Sequence, residues 1–377
     1  MERPESRWQK LLLGPTWRPA RAAALTLLAF VVLDLLLAQR LERRFAAGDF
    51  RPPNDSDQLV PEYLTWLAGR PDRKLYFLGD STMNGPRLPP AATIPGVVGR
   101  IVAPAGWRTA NLGLIAAKLP DFFYLTAKLP ARAGEIAVYN VNYKNFSPFD
   151  LTVPLRFHDL YDPGLDRLAG PDAASILKMG AAGPSRLDAF ARAHWLFYRD
   201  RDWLNEDLFG LHPRKLLKSY YQIVTRTGLG GMLDRLARRR RKTDWSGARW
   251  DAWAVDTLRR YYSVLPLDRE NAVFRFLTPA AKLAHERGLT PVFFANPMNR
   301  ELADRFGLVD WPLYAANLRR IRNAVEDGGG VFLDCTDLIP SSGFQDNDHL
   351  TADGARRLAE ALVAACRSFL AGAGGGP

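Results

Sequence analysis

From Lys74 onward, short apolar runs alternate with stretches of helical spacing, and this alternation leaves few folds open. Lys74–Gly79 (KLYFLG), Trp107–Leu112, Glu135–Asn142 (EIAVYNVN), Thr290–Asn296 (TPVFFAN) and Val331–Asp334 have the length and composition of strands. Ala117–Leu129, Ala272–Arg287, Trp311–Asp327 and Thr351–Leu370 have the spacing of helices. Strands and helices in turn argue for an α/β fold, a parallel sheet covered on both faces in three layers. Right-handed crossovers then put every strand's carboxyl end on one edge of the sheet, where ligands bind. With 377 residues, 47% of them hydrophobic, the chain can fill such a core.

The rhythm breaks between about residues 147 and 270. That segment is rich in Trp, Tyr, Arg and Pro and contains Arg238–Lys242 (RRRRK), and it reads as a mostly helical insertion. The basic run is a solvated loop or a contact for lipid headgroups or an anionic polymer. The net charge of +11 also draws toward anionic partners without choosing among them. No zinc-finger spacing, RNP-like segment or heptad array points to nucleic acid. Cys335 and Cys366 lie in apolar runs and read as buried small hydrophobes; no CxxC pair suggests a metal.

Before the sheet-forming region lies Leu25–Ala38 (LTLLAFVVLDLLLA). With Ala22–Ala24 it reaches about the lower limit of a bilayer-spanning helix, ~17 residues. Its one charge is Asp34, costly at the centre of a span and less so near an end. Basic residues flank it on both sides: Arg3, Arg7, Lys10, Arg18 and Arg21 before, Arg40, Arg43 and Arg44 after. An uncleaved single-pass anchor is expected, with the rest of the chain outside the cytoplasm. A cleaved signal peptide and a buried helix are the alternatives. The organisation expected is a cytoplasmic tail and transmembrane anchor over 1–45, a linker over 46–70 and a catalytic domain over 71–377.

Four short segments sit at strand ends or just before a helix. Gly79-Asp80-Ser81 follows the first strand and would expose the Ser81 hydroxyl on a tight turn near a positive helix end. Asn111-Leu112-Gly113 ends the second; its glycine lets a backbone N–H approach a substrate oxygen. In Tyr139-Asn140-Val141-Asn142, period 2 puts Asn140 and Asn142 on one side of the third strand, where an amide could donate to an oxyanion. Asp346-Asn347-Asp348-His349 precedes the last helix; a carboxylate three residues before His349 can hold its Nδ1–H and free Nε2 as a base. Each segment alone also reads as an ordinary turn or cap. No G-x-S-x-G elbow, HExxH or Walker A motif is present.

In order and position, the four segments resemble the blocks of the SGNH (GDSL-like) hydrolase superfamily, over most of Lys74–Leu370 apart from the insertion. The resemblance implies a flavodoxin-like sheet and a serine esterase or acyltransferase. Ser81 would be nucleophile, His349 general base and Asp346 its orienter, with Asp348 as the alternative carboxylate. The oxyanion hole would be the Ser81 and Gly113 N–H groups and the Asn142 amide, with Asn140 as the alternative. The family's G-x-N-D block reads Asn140-Val141-Asn142-Tyr143 here, without its Gly and its Asp. No metal or cofactor is implied.

A single amino-terminal anchor before such a domain resembles extracytoplasmic proteins of cell-envelope modification. These include polysaccharide O-acetyltransferases and the D-alanyl transfer protein of lipoteichoic acid synthesis. The partners this implies are an acyl-ester or polysaccharide substrate, the membrane and a membrane-bound O-acyltransferase. The alternative, from another class, is a catalytically silent glycan- or lipid-binding partner of such an acyltransferase.

Overall fold

A computed structural model describes residues 18–48, 50–52, 59–149, 157, 160, 162–170, 195 and 252–371. Five strands, β1 (Arg73–Gly79), β2 (Trp107–Gly113), β3 (Ile136–Val141), β4 (Thr290–Ala295) and β5 (Val331–Asp334), form one sheet in the order β2-β1-β3-β4-β5. Every neighbouring pair is parallel. This is the α/β class expected from the alternation. All six residues of β3 are buried, as are six of the seven in β1, which suits strands covered on both faces.

Among the helices between the strands are α4 (Ile94–Val102), α5 (Leu119–Lys128), α7 (Leu277–Glu286) and α9 (Trp311–Asp327). From β1 the chain steps one way, to β2; from β2 onward it steps the other way, to β3, β4 and β5. Right-handed crossovers in opposite directions place α4 on one face and α5, α7 and α9 on the other. The contacts agree: α5 packs on α7 and α7 on α9, while α4 packs on α10 (Ala352–Ala365). The reversal falls between β1 and β3, so the crevice at their carboxyl ends is the topological switch point. At the opposite end of these strands, buried Lys74 and Glu135 pair at 3.4 Å, and Tyr76 Oη donates to the same carboxylate.

Local sequence accounts for these elements. Each β3 side chain falls in the core; the Tyr139 ring stacks on Phe293 of β4 at 4.3 Å, and its hydroxyl meets Thr126 of α5 at 2.8 Å. Asp310 caps α9 and Thr351 caps α10 through their side chains. The long helix expected over Thr351–Leu370 is two: α10 ends at a Cys366 cap, and α11 spans Arg367–Ala371. The expected helix over Ala272–Arg287 opens with a 3-10 turn, Phe274–Phe276. Cys335 lies just past β5, and both cysteines are buried free thiols. Arg238–Lys242 and most of the expected insertion lie outside the described residues; α6 (Ala252–Tyr262) is its described helical end.

The amino-terminal helix α1 runs Arg18–Ala47, 30 residues. It is long and apolar enough to be a candidate membrane span or signal sequence. Leu25, Leu27, Leu28, Phe30, Leu35 and Leu36 are exposed along it. Its last turns behave differently, since Leu37, Leu41 and Phe45 are buried in the same core as the sheet. The expected linker over 46–70 needs correction here. Val60–Ala68 is a helix, α2, with Val60, Tyr63, Leu64 and Leu67 buried. The reason is an aromatic cluster: the Phe45 ring lies 4.8 Å from Phe50, 5.0 Å from Tyr63 and 5.8 Å from Trp66. Burying those rings outweighs the entropy of ordering a short connection.

Candidate active site

At the end of β1 the chain turns into α3 (Ser81–Asn84), a single helical turn. Asp80 caps it, accepting from Thr82 N at 2.9 Å and Thr82 Oγ1 at 2.8 Å. Two asparagines, Asn140 in the neighbouring strand β3 and Asn142 just past its end, hold the turn. Asn140 Oδ1 accepts from Asp80 N at 3.0 Å, and Asn140 Nδ2 donates to Asp80 Oδ1 at 2.9 Å. Asn142 Nδ2 donates to the other Asp80 oxygen at 2.9 Å. The turn is tight enough to demand glycine: a Cβ on Gly79 would collide with Asn140 Oδ1 and Met83 Cβ. Ser81 therefore stands half-buried at the switch point, on a turn fixed from both sides.

The loop before α10 reaches over to it. Phe344 and Leu350 pair in an antiparallel bridge, and Gln345 N donates to His349 O at 2.7 Å. Inside that loop Asp346 Oδ1 accepts from His349 N at 2.8 Å. Asn299, from the start of α8 (Arg300–Phe306), donates its amide to Asp346 O at 3.2 Å. So held, His349 Nε2 lies 2.9 Å from Ser81 Oγ, and His349 Nδ1 lies 3.0 Å from each Asp346 oxygen. Ser81, His349 and Asp346, 268 residues apart at the extremes in sequence, thus form one continuous hydrogen-bonded line.

The charges around this line are dense. Arg87 donates to Asp346 Oδ2 at 2.6 Å from the rim. Asp348, almost fully buried, has its Oδ1 3.3 Å from His349 Nδ1 and its Oδ2 bonded to Lys144 Nζ and, at 2.9 Å, to Asn142 Nδ2. Burial opposes charge on each group, but the partners prevail. The His349 hydrogen bond and charge, with Arg87, hold Asp346 well below the usual carboxylate range. Lys144 and His349 do the same for Asp348. The Asp348 charge and the Asp346 hydrogen bond raise His349 above 6.5. Asp348 and Asp80 raise Lys144.

The expected oxyanion donors Gly113, Asn142 and Asn140 hold other partners. Gly113 N–H donates to Asn111 Oδ1 at 3.0 Å. A Cβ on Gly113 would collide with the backbone of Asn84, so this glycine admits α3 to close contact with β2. Asn142 gives its amide hydrogens to two carboxylates, and Asn140 gives its own to Asp80 and to Thr82 Oγ1. In this structure Gly113, Asn140 and Asn142 brace the turn that carries Ser81. Lys144 and Arg87 are site residues that the motifs do not announce. The one available signal is that Lys144 lies two residues beyond Asn142, past the end of a central parallel strand.

Among the described residues, Asp346, Asp348 and His349 are the cluster whose donor atoms come within 4.8 Å of one another, close enough to share a metal ion. Both carboxylates are already matched by protein cations, Arg87 and Lys144, so this donor set does not fit a resident metal.

No family model matches the chain, and no curated protein matches it. Among solved structures it is similar to Est24, a carbohydrate acetylesterase from Sinorhizobium meliloti. The identity is 10% and the TM-score 0.37, over 79% of this chain and 99% of that one.

Proposed function

We propose that the protein is a serine acyl-ester enzyme of the SGNH kind, a hydrolase or O-acyltransferase acting on a cell-envelope glycan or polymer. The observation that carries this reading is the line Ser81 Oγ–His349 Nε2–Asp346, at 2.9 Å and 3.0 Å, at the switch point of the sheet. Asp346 favours the tautomer with a proton on Nδ1 and leaves Nε2 as the base. Ser81 Oγ attacks the ester carbonyl carbon as its proton passes to Nε2. The carbon–oxygen bond to the alcohol breaks, and the alcohol leaves with that proton. Water or an acceptor hydroxyl then attacks the acyl-enzyme, its proton returning through His349, and Ser81 is regenerated.

The developing oxyanion would meet the Ser81 N–H first, because the first N–H of a helix has no intrahelical acceptor. For Gly113 and Asn142 to join it, they must exchange the partners they hold at rest. The candidate span α1 and the net charge of +11 support a membrane-held enzyme meeting an anionic envelope, with the catalytic domain on the extracytoplasmic side.

The test is an active-site serine phosphonate applied to the full chain in detergent, with adducts counted by intact mass. One adduct on the wild type, lost in Ser81→Ala and in His349→Ala, is the expected result. A folded wild type that takes no adduct would overturn the catalytic reading in favour of a silent glycan- or lipid-binding partner.

A further inference from the structure

The carboxylate most deeply buried at His349 is not the one that orients it. Asp348's side chain is 3% exposed, against 19% for Asp346. Its oxygens face four groups: His349 Nδ1, Asn347 Nδ2, Asn142 Nδ2 and Lys144 Nζ. Asn142 carries the connection on to Asp80, so a polar chain Lys144–Asp348–Asn142–Asp80 ties the base loop to the nucleophile turn. Asp80 has its oxygens filled by Thr82, Asn140 and Asn142 without a cation. Asp348 has two amides, those of Asn142 and Asn347, and a lysine that alone brings a positive charge. Without the lysine it would be a buried anion whose nearest proton source is the imidazole.

We propose that Lys144 is a positioning residue: by binding Asp348 it keeps that carboxylate from competing with Asp346 for the imidazole, and so keeps His349 available as a base. The proposal rests on the reading of Ser81, His349 and Asp346 as an acyl-transfer triad. The groups that face His349 are Asp346 and Asp348 on its own loop and Ser81 on α3. Arg87 bonds to Asp346, while Asp80 and, from α6, Tyr262 lie near Lys144. Lys144 is the cation that offsets Asp348, so its charge and that of Asp348 push the imidazole in opposite directions.

The experiment uses the full chain in detergent micelles and two readouts. One is the titration of His349 by NMR on isotope-labelled histidine, identified among the 5 histidines with His349→Gln. The other is the pH dependence of phosphonate labelling at Ser81. In Lys144→Met, His349 should titrate at higher pH than in the wild type, and the acidic limb of labelling should move up with it. Lys144→Arg should restore both. Asp348→Asn should titrate below the wild type, and Lys144→Met/Asp348→Asn should titrate with Asp348→Asn, because Lys144 acts through the carboxylate. A Lys144→Met protein that labels slowly while His349 titrates where the wild type does would reduce Lys144 to a structural cation and overturn the proposal. Should Lys144→Met not fold, the last two variants decide: a double variant that titrates well above Asp348→Asn shows Lys144 acting on the imidazole directly and not through Asp348, and overturns the proposal. The titration order does not require turnover, so a wild type that titrates as described but takes no phosphonate refutes the acyl-transfer reading alone.

Discussion

Asp346 does three jobs with two oxygens. It closes its own loop on the His349 amide, faces the imidazole and receives Arg87. Asparagine keeps the shape and loses the charge. Asp346→Asn should therefore fold like the wild type yet slow phosphonate labelling on the order of 10³–10⁴-fold, because the imidazole loses the tautomer and the counter-charge it needs. Labelling rate and thermal unfolding, measured side by side, check this; a variant that labels at the wild-type rate would refute it. At this scale the sequence is informative where function is local. Asp346 and His349 share one turn, so three-residue spacing foretells their contact. The partners of Asn142 were not legible, because they depend on where Asp80 and Asp348 come to lie in the folded sheet.

The elements divide in the same way. The three inner strands β1, β3 and β4 were readable because a central parallel strand is a largely apolar run, and the edge strands β2 and β5 by their place in the alternation. Three helices were not. Ile94–Val102 holds a proline and two glycines that mask its spacing, although Thr93 as cap and Pro95 in the first turn are start signals. Arg300–Phe306 is too short to show a period. Val60–Ala68 was hidden in a presumed linker because its reason for folding lies elsewhere, in the rings of Phe45 and Phe50. Phe45→Ala removes the ring that α1 contributes to that cluster and should cost about 3–5 kcal/mol. Leu28→Ala, on the exposed length of the same helix, should leave the melting temperature where it is. Thermal unfolding of both in one detergent decides between a docked helix and a passive tether.

For the molecule as a whole, the charge cluster predicts a stability profile with two edges. Asp346 and Asp348 titrate below the carboxylate value of 3.8, so they stabilise the fold above that value and lose the contribution as pH falls through and below it. His349 titrates above 6.5, so its contribution is complete below 6.5 and is lost as pH rises through the raised value. The melting temperature should fall on the acid side of the first edge and decline past the second. His349→Gln should remove the second decline; a decline that survives the substitution belongs to other groups.

The docking of α1 also has a kinematic consequence. Arg51, four residues past the helix, donates to Gly85 O at 2.5 Å and Leu88 O at 2.9 Å, and Asn84 donates to Pro52 O at 3.0 Å. The foot of the helix is thus clasped to the loop that follows Ser81. From Leu36 to Ala47 the helix rises about 16 Å. A domain on a slack tether sweeps a hemisphere above the bilayer. One fastened to its own stem, were that stem in the bilayer, would be confined to drifting sideways and spinning, so Ser81 would travel in a thin layer at constant height. On the proposed reading, acceptors would have to enter that layer or be delivered to it, and collisions there would be those of a plane rather than a volume.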